Sequence, residues 1–166
     1  MASLKQKGDL AELKVAADLL RRGCRLSIPF GEDCDYDLIA DFEGRLHRVQ
    51  TKFTESDGSI VSVCCRSHSL TKGKVRRTKH YTALMIDWIA VYDQTSDRCY
   101  YCPSSELGVA GRSELRLRLT PARNGQLQGI RNAADYLEPD LRTVGEMEPA
   151  GIEPATSCLQ STRSSN

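Results

Sequence analysis

Two runs of strand-forming residues, Tyr36 to Phe42 and Arg45 to Thr54, are separated only by Glu43-Gly44. A turn that short leaves the two strands a single antiparallel register. It sets Asp37 opposite Gln50 and Asp35 opposite Lys52. Side chains alternate along a strand, so Asp35, Asp37, Gln50 and Lys52 share one face. Val49, Thr51 and Phe53 then point the other way, toward a core. One face of a hairpin thus gathers two carboxylates, an amide and an ammonium.

The rest of the chain reads as one α/β domain around this hairpin. Positions 9 to 22 carry a helical stripe at Leu10, Leu13, Ala17 and Leu20, with Arg21-Arg22 in the last turn and Gly23 as a left-handed cap. A short strand, Arg25 to Ile28, leads into an acidic loop, Glu32-Asp33-Cys34-Asp35. Ser59 to Arg66 reads as a third strand of the region, and Asp87 to Asp93 with Arg98 to Cys102 as a second hairpin. Ser113 to Leu119 alternates Glu114, Arg116 and Arg118 outward with Leu115, Leu117 and Leu119 inward, and Asn132 to Leu137 reads as a last short helix. Beyond Pro139 bulky apolar residues thin out, which places a domain at residues 1–138 and a disordered tail at 139–166. Part of that tail, Gly151 to Gln160, resembles the peptide encoded when a reading frame runs through a transfer RNA gene.

With 40% apolar and 27% charged residues, the chain can build a core without metals or disulfides. It has no run of about 18 apolar residues and no apolar signal segment at its start, so no membrane association and a cytoplasmic location are expected. An odd count of 7 cysteines fits free thiols. Cys99 and Cys102 fall on opposite faces of a strand, a poor arrangement for zinc. The 23 Lys+Arg nearly cancel the 22 Asp+Glu, but the charges are unevenly spread. Arg66 to His80 has no acid and holds Arg66, Lys72, Lys74, Arg76, Arg77 and Lys79, the composition of a loop that contacts nucleic-acid phosphates.

The hairpin face suits phosphodiester hydrolysis. Mg²⁺ takes oxygen ligands and keeps several waters, so one or two carboxylates with an amide or backbone oxygen can hold it. A neighbouring lysine can orient a water or offset charge in the transition state. Gln50 offers only its carbonyl oxygen and leaves the set one negative charge short; Glu12 or Asp35 could supply it.

Asp37, followed by Gln50-Thr51-Lys52 and preceded by a helix bearing Gly8-Asp9-Leu10-Ala11-Glu12, resembles the PD-(D/E)XK nuclease superfamily. The resemblance is to its group I intron homing endonuclease branch, in which Gln replaces the acid before X-Lys. Leu117 to Gln126 and Ile130 to Tyr136 look like that branch too, so the likeness spans about residues 5 to 137. It implies a restriction-endonuclease-like mixed central sheet with α-helices on both sides and Mg²⁺-dependent cleavage of double-stranded DNA. It further implies a metal held by Asp37, Gln50 and the Thr51 carbonyl, with Lys52 as catalytic lysine and Glu12 as helix-borne acid. Cys34-Asp35-Tyr36 stands where the superfamily's name motif has Pro.

Each element also has an ordinary structural explanation. Asp37 can tie down a turn, Gln50 and Lys52 can lie on the wet face of an edge strand, Glu12 can pair with a lysine, and the basic run can be a solvated loop. The competing functions are a Holliday junction resolvase or repair nuclease of the same fold, and a DNA-binding module whose metal site has decayed. One site cuts one strand, so a double-strand cut by so small a domain calls for a homo-oligomer.

Overall fold

Ser3 starts the first helix with a reciprocal cap. Its Oγ accepts from the Gln6 amide at 3.2 Å, and Gln6 Oε1 accepts from the Ser3 amide at 2.7 Å. In this computed structural model, which describes residues 3–31, 34–71, 74–120 and 129–142, with the side chains of 68–77 outside that description, helix α1 therefore runs Leu4–Arg21. It begins earlier than the apolar periodicity from position 9 suggests, because the Ser3–Gln6 cap lies upstream of the stripe. Gly23, at φ 89°, ends it as expected.

The strands in chain order are β1 (Arg25–Ser27), β2 (Leu38–Phe42), β3 (Arg45–Thr54), β4 (Ile60–Cys64), β5 (Arg66–Thr71), β6 (Lys74–His80), β7 (Trp88–Asp93), β8 (Arg98–Pro103), β9 (Glu114–Arg118) and β10 (Arg131–Asn132). Short 3₁₀ turns cover Ser104–Leu107 and Ala133–Tyr136. The β2–β3 register is the one the turn demands, from Leu38 against Val49 to Phe42 against Arg45. Glu43 (φ 52°) and Gly44 (φ 84°) both adopt the left-handed backbone that a two-residue hairpin turn of primed type needs. On its other side β3 pairs in parallel with β7, Val49 against Trp88 through Thr54 against Asp93. The main sheet is thus mixed, in the order β1-β2-β3-β7-β8, and β3 is an internal strand.

Alternation along β7 sends side chains into two cores. Trp88 and Ala90 pack with Val15, Leu19, Leu38, Ala40, Val49 and Tyr101 beneath α1. Ile89 and Val91 pack with Val61, Val63, Leu115 and Leu117 of a second sheet, ordered β10-β9-β4. The α/β class holds, with one adjustment: among the described residues a single α-helix covers one face of the main sheet and a three-stranded sheet covers the other. Cys99 joins the helix side and Cys102 the opposite core, while Cys64 is exposed and Cys65 buried. Burial pushes the Cys65 thiol up to about 11 and the Cys99 thiol up to about 12, so both stay protonated.

Three expectations are corrected. The helix buries Ala11, Val15 and Leu19, each at 0% exposure, while Leu13 and Leu20 stand 70% and 56% exposed. Two apolar stripes run along α1, and periodicity cannot choose between them; the smaller side chains win because they let the helix approach the sheet. The basic run forms the hairpin β5–β6, Arg66 opposite His80 and Ser67 opposite Lys79, in place of a loop. Its root is held where the Tyr81 amide donates to the Cys65 carbonyl at 3.0 Å. Gly111 packs against that root: a Cβ there would lie 2.7 Å from His80 Cβ and 2.9 Å from the Tyr81 carbonyl oxygen. Finally, packing continues past residue 138, since Leu141 is buried under α1's core and its carbonyl lies 2.9 Å from His47 Nε2. Residues 143–166, including the segment from Gly151, fall outside the described residues. No helix among the described residues is long and apolar enough to cross a membrane.

Asp93, at the end of β7, ties two connections together. Buried at 0% exposure, it accepts from the Ser56 amide and hydroxyl, both at 2.8 Å, and from the Ser96 amide and hydroxyl at 3.1 and 2.7 Å. Burial raises its pKa, but these hydrogen bonds outweigh it and hold the carboxyl below its ordinary 3.8. A lowered pKa contributes stability above the unfolded value and loses it as pH falls through the folded one. Asp93→Ala should therefore cost about 2–4 kcal/mol at pH 7, with buried donors left unpaired. Urea denaturation at pH 7 and near pH 3 should show the gap between variant and wild type narrowing in acid.

Candidate active site

The β2–β3 ladder ends at Leu38 against Val49, and just beyond it the chain of β2 leaves the sheet. The Asp37 side chain takes over the lost pairing. Its Oδ2 accepts from the Thr51 amide at 2.7 Å, from Thr51 Oγ1 at 2.6 Å and from Gln50 Nε2 at 2.5 Å. Gln50 Nε2 also lies 3.1 Å from the Thr51 carbonyl oxygen. Asp37 and Gln50 thus meet as the hairpin register predicts. Gln50 and Thr51 are 7% and 6% exposed, which removes the edge-strand explanation for Gln50.

Asp37 Oδ2 and the Thr51 carbonyl are both acceptors, and they converge on one point. The Gln50 amide nitrogen, with its partial positive charge, sits there. Rotating that amide by half a turn puts Gln50 Oε1 beside the other two oxygens, a set with the hardness a cation of the Mg²⁺ class prefers. Asp37 Oδ1 carries no hydrogen bond among the described residues and adds a further acceptor. Among the described residues no three of His, Cys, Asp and Glu gather to hold a metal, so the amide and the backbone carbonyl are integral to this donor set.

Lys52 does not pair with Asp35. Its Nζ donates to Tyr81 Oη at 3.2 Å and lies 4.9 Å from the Tyr81 ring centroid, where the aromatic face stabilises the ammonium. Asp35 forms an ion pair with Lys79 of β6 instead. The departure follows from where pairing stops: the Asp37 amide still donates to the Val49 carbonyl at 3.0 Å, but before Asp37 the chain no longer tracks β3, so strand register stops predicting neighbours.

Glu12 is exposed on α1 yet senses the site. Partial desolvation first, then the charges of Asp37 and Asp9, hold its carboxyl above the ordinary 4.5. Of the basic residues, Arg66 is exposed at the hairpin root and Lys79 is engaged with Asp35. The side chains of Lys74, Arg76 and Arg77 fall outside the description, as does Lys72 altogether; so do Glu32, Asp33, Asn124 and Gln126.

One contact of an expected site residue and one site residue escape a reading of the sequence. The Thr51 hydroxyl bonds Asp37 although its strand position points away from Asp37, which works because Asp37 sits at the strand's end and reaches around it. A Thr between Val49 and Phe53 on a core-facing side is the signal that was available. Tyr81 carries no sequence signal, since nothing before folding ties it to Lys52.

Residues 2–139 match the PD-(D/E)XK endonuclease family. No curated protein sequence matches the chain. Among solved structures, a bacterial homing endonuclease, I-Ssp6803I, is similar at 25% identity over 81% of this chain and 88% of that one, with a TM-score of 0.62. The family match takes in nearly all of the packed chain, and on that ground the chain belongs to the PD-(D/E)XK endonuclease family.

Proposed function

We propose that the chain is a Mg²⁺-dependent DNA endonuclease of the group I intron homing type. The observation that carries the reading is the convergence of Asp37, the Gln50 amide and the Thr51 carbonyl at the end of the β2–β3 ladder. Family membership and the similarity to a homing endonuclease support it. Mg²⁺, when bound by these three residues, supplies the charge that polarises a phosphoryl oxygen and acidifies a water. The Thr51 amide and hydroxyl keep the Asp37 carboxylate oriented. Lys52 spends one of its three N–H donors on Tyr81 and keeps two for the phosphate oxygens or the attacking water. Arg66 and Lys79, with Lys72, Lys74, Arg76 and Arg77, would meet the DNA backbone. A second subunit would supply the cut in the other strand.

Plasmid nicking in Mg²⁺ against EDTA tests the reading. Wild type should nick only with the cation, and Asp37→Ala and Lys52→Ala should each lose about 10²–10³-fold or more. Equal activity in all three sinks the assignment of the site. Salt-sensitive DNA binding without nicking in Mg²⁺ or Mn²⁺ would instead identify the decayed module, and preference for four-way junctions the resolvase.

Tyr81→Phe keeps the ring and removes the Lys52 acceptor. Nicking should fall by about tenfold, a loss of about 1.4 kcal/mol in transition-state stabilisation, while the midpoint of thermal unfolding stays close to wild type.

Glu12→Gln gives a pH test. A raised folded pKa means that the ionised carboxylate opposes folding once pH passes the unfolded value near 4.5. The variant should be slightly more stable than wild type at pH 7 in EDTA, by about 0.3 kcal/mol after solvent screening. That gain should vanish below pH 4 in parallel denaturant titrations.

A further inference from the structure

The fold uses one of the two apolar stripes on α1. Opposite Ala11, Val15 and Leu19 lies a second stripe of Leu10, which is half-buried, and Leu13, Ala17 and Leu20, which are exposed, extending over most of this 18-residue helix. Single exposed leucines are ordinary, but four apolar residues spaced as a helix–helix seam are not. No described residue covers Leu13 or Leu20.

We propose that this face of α1 packs against the same face of a second copy of the chain, with the two helices antiparallel about a two-fold axis. Such an interface is self-complementary, so whatever meets across it must match in both directions. The antiparallel register that sets Leu10 against Leu20 sets the large Leu13 against the small Ala17. The same register brings Asp9 of one copy to Arg21 of the other. Asp9 is exposed with no ion-pair partner among the described residues. Arg21, whose side chain is 78% exposed, forms an ion pair with Asp18 and has further guanidinium N–H donors to offer. A parallel arrangement would put Asp9 on Asp9 and Ala17 on Ala17, like charges over a gap. DNA does not fit this face, since phosphate contacts need cations and the stripe is apolar.

One helix face is smaller than the roughly 1,200–2,000 Å² of a stable interface, so association should be weak and depend on concentration. This surface gives the second subunit of the endonuclease reading a place to bind, but its test does not need that reading, because association is measured without DNA or metal.

Sedimentation velocity of the full chain from about 1 to 500 µM, spanning weak to moderate affinity, should show a monomer–dimer equilibrium for wild type. Leu13→Glu combined with Leu20→Glu should weaken it at least about tenfold, with circular dichroism confirming the fold; Leu13→Gln with Leu20→Gln serves if the acidic pair does not fold. Asp9→Lys and Arg21→Glu should each weaken association, and the double charge swap should restore it. A wild type that stays monomeric throughout, or a Leu13/Leu20 variant that associates like wild type, overturns the proposal. A swap no better than its single variants overturns the antiparallel register. Loss of nicking with intact association would strike the endonuclease reading alone.

Discussion

The pairing of β3 on both edges at once sets up everything around the candidate site. Toward β2 it is antiparallel and toward β7 parallel, so the backbone of Gln50-Thr51-Lys52 is held on the β7 side even after β2 has departed. Arg48 and Asp87 clamp the start of this arrangement. The Arg48 amide donates to Asp87 Oδ2 at 2.7 Å, its guanidinium grips both carboxylate oxygens, and the Asp87 amide returns to the Arg48 carbonyl at 2.9 Å. The Asp87 carboxyl pays the penalty of burial but is held below its ordinary range by that guanidinium and amide. Neighbouring strands therefore leave little freedom at these three residues of the candidate site.

Asp37 does two jobs with one carboxylate. As a structural group it replaces the backbone acceptor that the Thr51 amide loses when β2 turns away, so no buried donor is stranded. As a chemical group it presents negative charge next to the Thr51 carbonyl, an arrangement that repels itself unless something positive stands between. The Gln50 amide fills that role here. A glutamine suits the position because one rotation turns it from donor to acceptor, which an ionised carboxylate, an acceptor at both oxygens, cannot do.

The fold was legible wherever local rules were strong. Glu43-Gly44 set a register that survives intact, and the alternation at Leu115 and Leu117 named buried residues correctly. Reading failed where two patterns of equal quality competed, as on α1, and where a charged run concealed strand pairing, as in β5–β6. At the site, Asp37 with Gln50 followed from strand register. The Lys52–Tyr81 and Asp35–Lys79 contacts did not, because each joins residues whose proximity is decided by how the hairpin leaves β4 and returns toward β7.

Gly111 shows how closely fold and site are coupled. It has no side chain to bring to the site, and its φ of 74° already favours glycine. Yet the atoms it nearly meets, His80 Cβ and the Tyr81 carbonyl, belong to the stretch that carries the Lys52 acceptor. The aim of a lysine on β3 thus depends on a clearance narrower than one methyl group, set by a loop that precedes β9. A chain can keep every chemically active side chain and still lose its alignment at a position that no comparison of active-site motifs would inspect.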